Sequence, residues 1–288
     1  MKHNYDHIDQ HNNPGAPEDF FRKFEVPFER SREEIWDSLA HQLVEKPAGK
    51  IVTFNTRRLI YAAAAIIILL AGVVSLLRFY TTKVYCPSGQ HLSYNLPDGS
   101  TAALNAGTQL SYKPLWWRFS REMALEGEAY FEVEKGKKFS VISKIGRTEV
   151  LGTSFNIYSR DNEYKVTCLT GKVKVTSFAS AEAVLSPEQT AQINSKGEIA
   201  ISRELKASDS HAWINDMFSF TSRPLALVLR EIGRQYDVSI TMKSPVDYLY
   251  TGYFTKNRPL EETLTLVCTP FGLTFAKISE KEFEISQN

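Results

Sequence analysis

The feature that most constrains this chain is a single long apolar run. Residues Leu59 to Leu77 carry no charge, and arginines stand on both sides of them. At about 1.5 Å per residue, a helix of that length spans about 28 Å, close to the hydrocarbon thickness of a bilayer. A helix also satisfies its own backbone hydrogen bonds, which lipid requires. The run therefore predicts one transmembrane helix, residues 59–77, in a single-span membrane protein.

The flanks of the run indicate a permanent anchor with a defined orientation. The exit, residues 76–80, has no small-residue cleavage site of the kind that follows a signal peptide. Four basic residues precede the run and two follow it, namely Lys46, Lys50, Arg57 and Arg58 against Arg78 and Lys83. Because basic flanks favour the cytoplasmic side, we expect a single-pass inner-membrane protein with a cytoplasmic N-terminus and a periplasmic C-terminus.

The remaining composition excludes several classes of protein. Of the 288 residues, 34 are Lys or Arg and 33 are Asp or Glu, so no global field attracts nucleic acid directly. The three cysteines are too few and too far apart for a disulfide scaffold. The sequence has no nucleophile, phosphate-binding or metal-ligand motif. We expect no enzyme, no cofactor and no metal site.

The segment before the span, residues 1–58, contains one clear helix signal. Residues 1–19 are polar and rich in turn formers, which predicts disorder, and phenylalanines follow them. Ser31 and Glu34 then form a capping box, and apolar residues continue at helical spacing until Pro47. An isolated amphipathic helix is marginally stable, so its apolar stripe needs a cover. The cover is a cytoplasmic protein partner, the phenylalanines themselves, or the membrane surface.

Residues 84–200 alternate apolar and polar side chains in short runs separated by turns. No helical stripe interrupts them. The pattern predicts an all-β domain, either sandwich-like or solenoid-like. Within it, Trp116 and Trp117 beside Arg118 form either a ligand platform, or a buried corner or edge cover.

Residues 212–288 contain an internal repeat. Phe220, Pro224 and Leu225 are echoed by Phe254, Pro259 and Leu260, and each proline opens a helical pattern that leads into a strand. The repeat predicts a small α+β domain of two β-α-β units with a mixed sheet. Such a sheet has open edges that a partner's strand can extend.

Five motifs in the β domain carry a family resemblance. They are LPDGS (96–100), LNAGT (104–108), LEGEAYFEV (125–133), VLGTSFNI (150–157) and LSPEQ (185–189). Together with the order of the segments, they resemble the FecR-like family of transmembrane anti-sigma regulators. The tail from Ala212 resembles the C-terminal domain of that family, which is similar to the short N-terminal domain of secretins and TonB-dependent transducers.

The resemblance implies a signalling relay with two protein partners. The cytoplasmic segment is expected to bind an extracytoplasmic-function sigma factor, and the periplasmic part to contact the signalling domain of a TonB-dependent outer-membrane transporter. The sigma-binding candidates are the apolar residues Phe20, Phe21, Phe24, Ile35, Trp36, Leu39 and Leu43. The transporter-contact candidates are the repeat residues of the C-terminal domain, Phe220, Pro224, Leu225, Phe254, Pro259 and Leu260.

The resemblance also implies a candidate self-cleavage site at Gly152-Thr153, because some relatives with this pair cut themselves between the two residues. A threonine hydroxyl can attack the preceding carbonyl and form an ester. The alternative is that Gly152 allows close backbone approach and Thr153 suits a strand, so that the pair serves packing alone.

Two other functions stay open. A membrane-anchored periplasmic ligand-binding module would use Trp116 and Trp117, although no cluster of Asp, Asn and Gln accompanies them. A structural component of the envelope would have no use for a capped cytoplasmic helix with an aromatic stripe.

Overall fold

The computed structural model describes residues 30–44, 49, 55–203 and 207–287. The chain divides into two units, Met1–Ala62 and Ala63–Asn288. In the first unit, helix α1 (Arg32–Val44) begins at the predicted capping box. The Ser31 amide donates to Glu34 Oε2 at 3.0 Å, and the Glu34 amide donates to Ser31 Oγ at 3.3 Å. The two reciprocal bonds satisfy amides that the first turn of a helix leaves free.

Helix α2 (Thr56–Phe79) contains the apolar run and extends beyond it at both ends. It has 24 residues, and its most apolar window has a mean hydropathy of 2.7 with no residue buried inside the protein. Arg57, Arg58 and Arg78 join the helix because arginine is a good helix former. The helix is long and apolar enough to cross a membrane.

Thirteen strands follow α2 and form the all-β domain. They are β1 (Thr82–Cys86), β2 (Leu92–Asn95), β3 (Thr101–Leu104), β4 (Thr108–Tyr112), β5 (Arg121–Glu132), β6 (Phe139–Ile142), β7 (Gly146–Val150), β8 (Ser154–Arg160), β9 (Glu163–Cys168), β10 (Val173–Ser177), β11 (Glu182–Leu185), β12 (Gln189–Ile193) and β13 (Ile199–Arg203).

The long strand β5 belongs to two sheets. Its first half pairs with β4 and β6, in a sheet of order β1-β4-β5-β6-β7-β10-β11. Its second half pairs with β3 and β8, in a sheet of order β2-β3-β5-β8-β9-β12-β13. Only the β5–β6 pair among these is parallel. Side chains from both sheets share one apolar core, which makes the domain a β-sandwich rather than a solenoid.

Gly127 lies where β5 leaves one sheet for the other. Its φ is +126°, and a Cβ at this position would lie 2.5 Å from Thr108 Oγ1 and 2.7 Å from Thr108 Cα. Only glycine combines this backbone conformation with so close an approach. The glycine of the LEGEAYFEV motif is therefore required by the crossing strand.

The sandwich leads into a small α+β domain through 3-10 turns at Ala207–Asn215. The elements are β14 (Met217–Pro224), α3 (Leu225–Tyr236), β15 (Ser239–Met242), β16 (Leu249–Thr255), α4 (Leu260–Cys268), β17 (Leu273–Ser279) and β18 (Glu282–Gln287). Pro224 and Pro259 stand at the N-caps of the two helices.

The strands of this domain form two small sheets instead of the single mixed sheet that the repeat predicts. The first strands of the two β-α-β units, β14 and β16, pair with each other antiparallel. The remaining strands form a sheet of order β15-β18-β17, with one parallel and one antiparallel pair. A single mixed sheet does not form, because the equivalent first strands of the two units pair with each other. The domain has its own apolar core.

Candidate functional site

Helix α1 presents an apolar surface to solvent. The Trp36 side chain is 63% exposed, Leu39 is also exposed, and Ile35 is half-buried. Trp36 and Leu39 are three positions apart and lie on one helix face. The side chain of Leu43, and the predicted residues Phe20, Phe21 and Phe24, lie outside the described residues. An exposed tryptophan beside an exposed leucine is typical of a protein-binding anchor.

In the second unit, a buried polar cluster joins the β-sandwich to the C-terminal domain. Its centre is Glu128 on β5, whose side chain is buried. Asn105 Nδ2 donates to one oxygen of Glu128 at 2.8 Å, and Asn156 Nδ2 donates to the other at 3.0 Å. The Asn156 amide also donates to the carbonyl of Ser210 at 2.8 Å. These bonds hold the entry to the C-terminal domain against the sandwich.

Gln235 on α3 connects the cluster to the C-terminal domain. Its Nε2 donates to Asn105 Oδ1 at 2.6 Å and to Glu231 Oε1 at 2.9 Å, and its Oε1 lies 3.0 Å from His91 Nε2. Gln235 is itself buried. A buried amide whose donor and acceptor atoms are both used fixes the position of α3 strongly, because removing any partner leaves a polar group unsatisfied.

Charged pairs surround the buried cluster. Arg234 Nη2 lies 2.8 Å from Glu231 Oε2, and Arg160 Nη1 lies 3.8 Å from the same oxygen. Asp161, next to Arg160 on the sandwich, lies 2.7 Å from the Arg230 guanidinium of α3. A further bridge between the two domains joins Arg223 Nη1 to Glu163 Oε2 at 2.6 Å. Each domain thus contributes both positive and negative groups to the contact, and their pairing favours one relative position of the two domains.

The two buried carboxylates differ in their electrostatics. Burial raises the pKa of Glu128, and the neighbouring Glu231 raises it further. Burial acts in the same direction on Glu231, but Arg160 and Arg234 outweigh it and lower the pKa of Glu231. Glu231 therefore carries the negative charge that the arginines balance, and Glu128 serves as the hydrogen-bond acceptor of two amides.

A cleft of about 550 Å³ lies beside this cluster. The consecutive residues Met217–Pro224 of β14 line one side, and polar residues of β8, β9 and β12 line the other. Within the described part of the chain, two buried polar atoms here have no hydrogen-bond partner, Asn156 Oδ1 and Trp213 Nε1.

The residues proposed from the repeat hold the C-terminal domain together. Leu225, Phe254 and Leu260 are buried in its core, Phe220 is half-buried, and Pro224 and Pro259 are exposed. The structure brings Phe220 and Phe254 together, with ring centroids 6.2 Å apart. Accessible apolar side chains on this domain lie elsewhere, at Leu249 and Tyr253 of β16 and Ile278 of β17.

The tryptophan pair does not form a ligand platform. Trp117 is buried and packs edge-on against Tyr112 and Phe139, with ring centroids at 5.3 and 5.8 Å. Trp116 stays half-buried beside Phe119, at 4.6 Å. The alternative of a buried corner therefore holds for Trp117. In the described part of the chain, no group of three His, Cys, Asp or Glu residues could hold a metal ion.

Gly152 and Thr153 lie just before β8 in a close-packed backbone. Gly152 has φ of +154°, and a Cβ there would lie 2.7 Å from Lys135 Cγ. Thr153 is buried, and among the described residues its Oγ1 has no hydrogen-bond partner. His91, whose imidazole could supply a general acid, contacts Gln235 and Asp216.

Sequence patterns alone did not reveal the buried cluster. Glu128 and Asn156 stand on the outer face of their strands, where alternation predicts contact with solvent. The C-terminal domain covers that face, so these polar residues become buried. The signal that could have found them is the unusual density of polar groups on one outer face, at positions 128, 156, 158 and 160.

Two family models match the chain, and together they span more than half of it. The model described as FecR protein matches residues 82–174, and the model described as FecR, C-terminal, matches residues 217–285. No curated protein matches the chain.

Two crystal structures of a protein from Parabacteroides distasonis ATCC 8503, assigned as an anti-sigma factor, are similar to it. They were determined at 2.50 and 1.65 Å resolution. Each has 28% sequence identity to this chain and a TM-score of 0.67. The two matches cover 73% and 72% of this chain, and 100% and 99% of the respective crystal chains. With both domains in their expected order, the chain belongs to the FecR-like family of anti-sigma regulators.

Proposed function

We propose that this chain is a single-span relay in the inner membrane. Its cytoplasmic segment captures an extracytoplasmic-function sigma factor, and its periplasmic domains read the state of a TonB-dependent outer-membrane transporter through the transporter's signalling domain. The chain controls transcription of uptake genes by holding or releasing the sigma factor. It turns over no separate substrate and needs no cofactor.

The observation that carries this proposal is the exposed face of α1. A capped helix that presents Trp36 and Leu39 to solvent suits a groove on a partner protein. The excess of basic residues before α2 supports a cytoplasmic location for this helix. The FecR domains follow α2 and would then lie in the periplasm.

Replacing Trp36 by alanine should abolish capture of the sigma factor. The loss of a buried aromatic anchor should cost about 2–4 kcal/mol of binding free energy, as truncation of hot-spot residues does. The measurement is co-purification of each of the organism's sigma factors with the full chain in detergent. Leu39→Asp should have the same effect, because it would bury an unpaired carboxylate at the contact.

His41→Ala is the matched control for this prediction. His41 is exposed on the opposite face of α1, so its removal should leave capture unchanged. Undiminished co-purification with both the Trp36 and the Leu39 variants would show that α1 does not bind the sigma factor.

For the transporter contact, the exposed residues of β16 fit better than the buried residues of the repeat. Leu249 and Tyr253 are four positions apart on a strand and therefore share one face. Tyr253→Ser should weaken binding of the transporter's signalling domain to the full chain at least tenfold, because about 1.4 kcal/mol of aromatic contact is lost.

The control is Ile278→Ser, on the other sheet of the same domain. The Tyr253 and Ile278 side chains are both 62% exposed, so each substitution replaces an equally exposed large apolar side chain by serine. The comparison is made by titrating the signalling domain onto each variant. Equal weakening by both variants, or by neither, would exclude β16 as the contact.

We further propose that the chain cuts itself between Gly152 and Thr153. Thr153 Oγ1 attacks the carbonyl carbon of Gly152, the C–N bond breaks as the nitrogen takes up a proton, and an ester forms that water hydrolyses. The step is supported by the positive φ of Gly152 and by the buried Thr153 hydroxyl, which has no partner among the residues that the structure describes. The competing explanation is that both residues only serve packing.

If cleavage occurs, the purified chain should separate into two fragments, the second beginning at Thr153. Thr153→Ser retains the hydroxyl and should still cut, whereas Thr153→Ala should remain intact. N-terminal sequencing of the fragments checks the position. A wild-type chain that stays whole after prolonged incubation would assign the pair to packing.

A further inference from the structure

A cluster of aromatic and basic side chains lies at the end of α2. We call it the helix-end patch. Its apolar members are Phe79, Tyr80, Leu115, Trp116 and Phe119, and its basic members are Arg78, Lys113 and Arg118. All but Trp116 and Lys113 are exposed, and Phe119 reaches 66%. None of the functions proposed above uses this patch.

The patch is fixed in position relative to α2. The guanidinium carbon of Arg78 lies 5.5 Å from the centre of the Trp116 ring and 5.8 Å from that of Phe79. Lys113 Nζ lies 5.9 Å from the Phe79 ring. These cation–π contacts join the last turn of the helix to the loop between β4 and β5.

The loop is also anchored from the sandwich side. Its Trp117 ring is buried between Tyr112 and Phe139, and a 3-10 turn at Pro114–Trp116 precedes it. Because Trp117 occupies the core, Leu115 and Phe119 on either side of it project outward. The loop therefore presents its apolar side chains in a rigid arrangement.

The position of the patch along α2 identifies what covers it. The uncharged run ends at Leu77, so Arg78 marks the level where the hydrocarbon of a spanned bilayer would end. Tryptophan, tyrosine, arginine and lysine are enriched at this level in membrane proteins. Basic side chains there also attract anionic head groups.

We propose that the helix-end patch is a second membrane contact, in which Leu115, Trp116 and Phe119 insert into the head-group region of the periplasmic leaflet. The inference rests on the proposed membrane span of α2. Such a contact would orient the β-sandwich, because a second attachment beside the helix end restricts the tilt of the sandwich over the membrane. The periplasmic domains would then face a partner from a fixed direction.

The test attaches an environment-sensitive fluorophore to one introduced cysteine at a time. The full chain is reconstituted in vesicles of phosphatidylethanolamine and phosphatidylglycerol. Phe119→Cys reports on the patch. Phe178→Cys, in the turn after β10, is the matched control, because Phe178 is 59% exposed on the same sandwich. Leu76→Cys reports on the span itself.

The wild-type chain gives the background labelling. Its native cysteines are buried, and burial raises the pKa of both Cys168 and Cys268 to about 11, so labelling of the wild-type chain should be slight.

The expected result separates the three positions by depth. Leu76 lies just inside the level of Arg78, so its label should be quenched most by lipids with a spin label on the first carbons of the acyl chain, next to the head group. The label at Phe119 should be quenched by lipids labelled near the head group, with a blue-shifted emission. The label at Phe178 should be quenched only by aqueous iodide.

Two outcomes would overturn the inference. If Leu76 responds to lipid while Phe119 is as accessible to iodide as Phe178, the span exists but the patch does not touch the membrane. If Phe119 is shielded from iodide and no lipid label quenches it, a protein surface such as a second copy covers the patch. A Leu76 label that no lipid quenches would instead contradict the span and, with it, the proposed function.

Discussion

The part of this protein that follows α2 depends on the burial of Glu128 between two domains. A carboxylate taken out of water is costly unless hydrogen bonds compensate for it. Here Asn105 and Asn156 supply them from the sandwich, and Gln235 of α3 completes the arrangement by bonding Asn105. The sandwich can keep these polar groups buried only while the C-terminal domain stays in place.

This constraint explains why a small domain with its own core is held firmly to its neighbour. Interfaces between domains of one chain are commonly polar and permit relative motion. In this protein the contact combines buried amides with charged pairs that alternate between the two sides, such as Asp161 with Arg230 and Glu163 with Arg223. Each pair favours one relative position of the two domains. The proposed relay from a transporter to the membrane would require such a connection.

The sequence predicted what local patterns control. The capping box of α1, the apolar run of α2 and the alternation of most strands depend on neighbouring residues, and these elements appear where the patterns place them. Strand β5 is shared by the two sheets, because its apolar–polar alternation continues from Arg121 to Glu132 while its partners change. That strand sharing is a long-range feature, as is the pairing of β14 with β16. Burial of outward-facing polar residues by a second domain leaves only an indirect signal in the sequence, which is the density of polar groups on one outer face.

We infer that the two domains after α2 are coupled through the buried amides of Asn105 and Gln235. A double-mutant cycle between Asn105 and Gln235 measures this directly, using the free energy of unfolding of the wild type, Asn105→Ala, Gln235→Ala and the double variant. Because the two side chains share a buried hydrogen bond, we expect a coupling energy of about 1 kcal/mol or more. Additive effects of the two substitutions would show that the amides do not couple the domains.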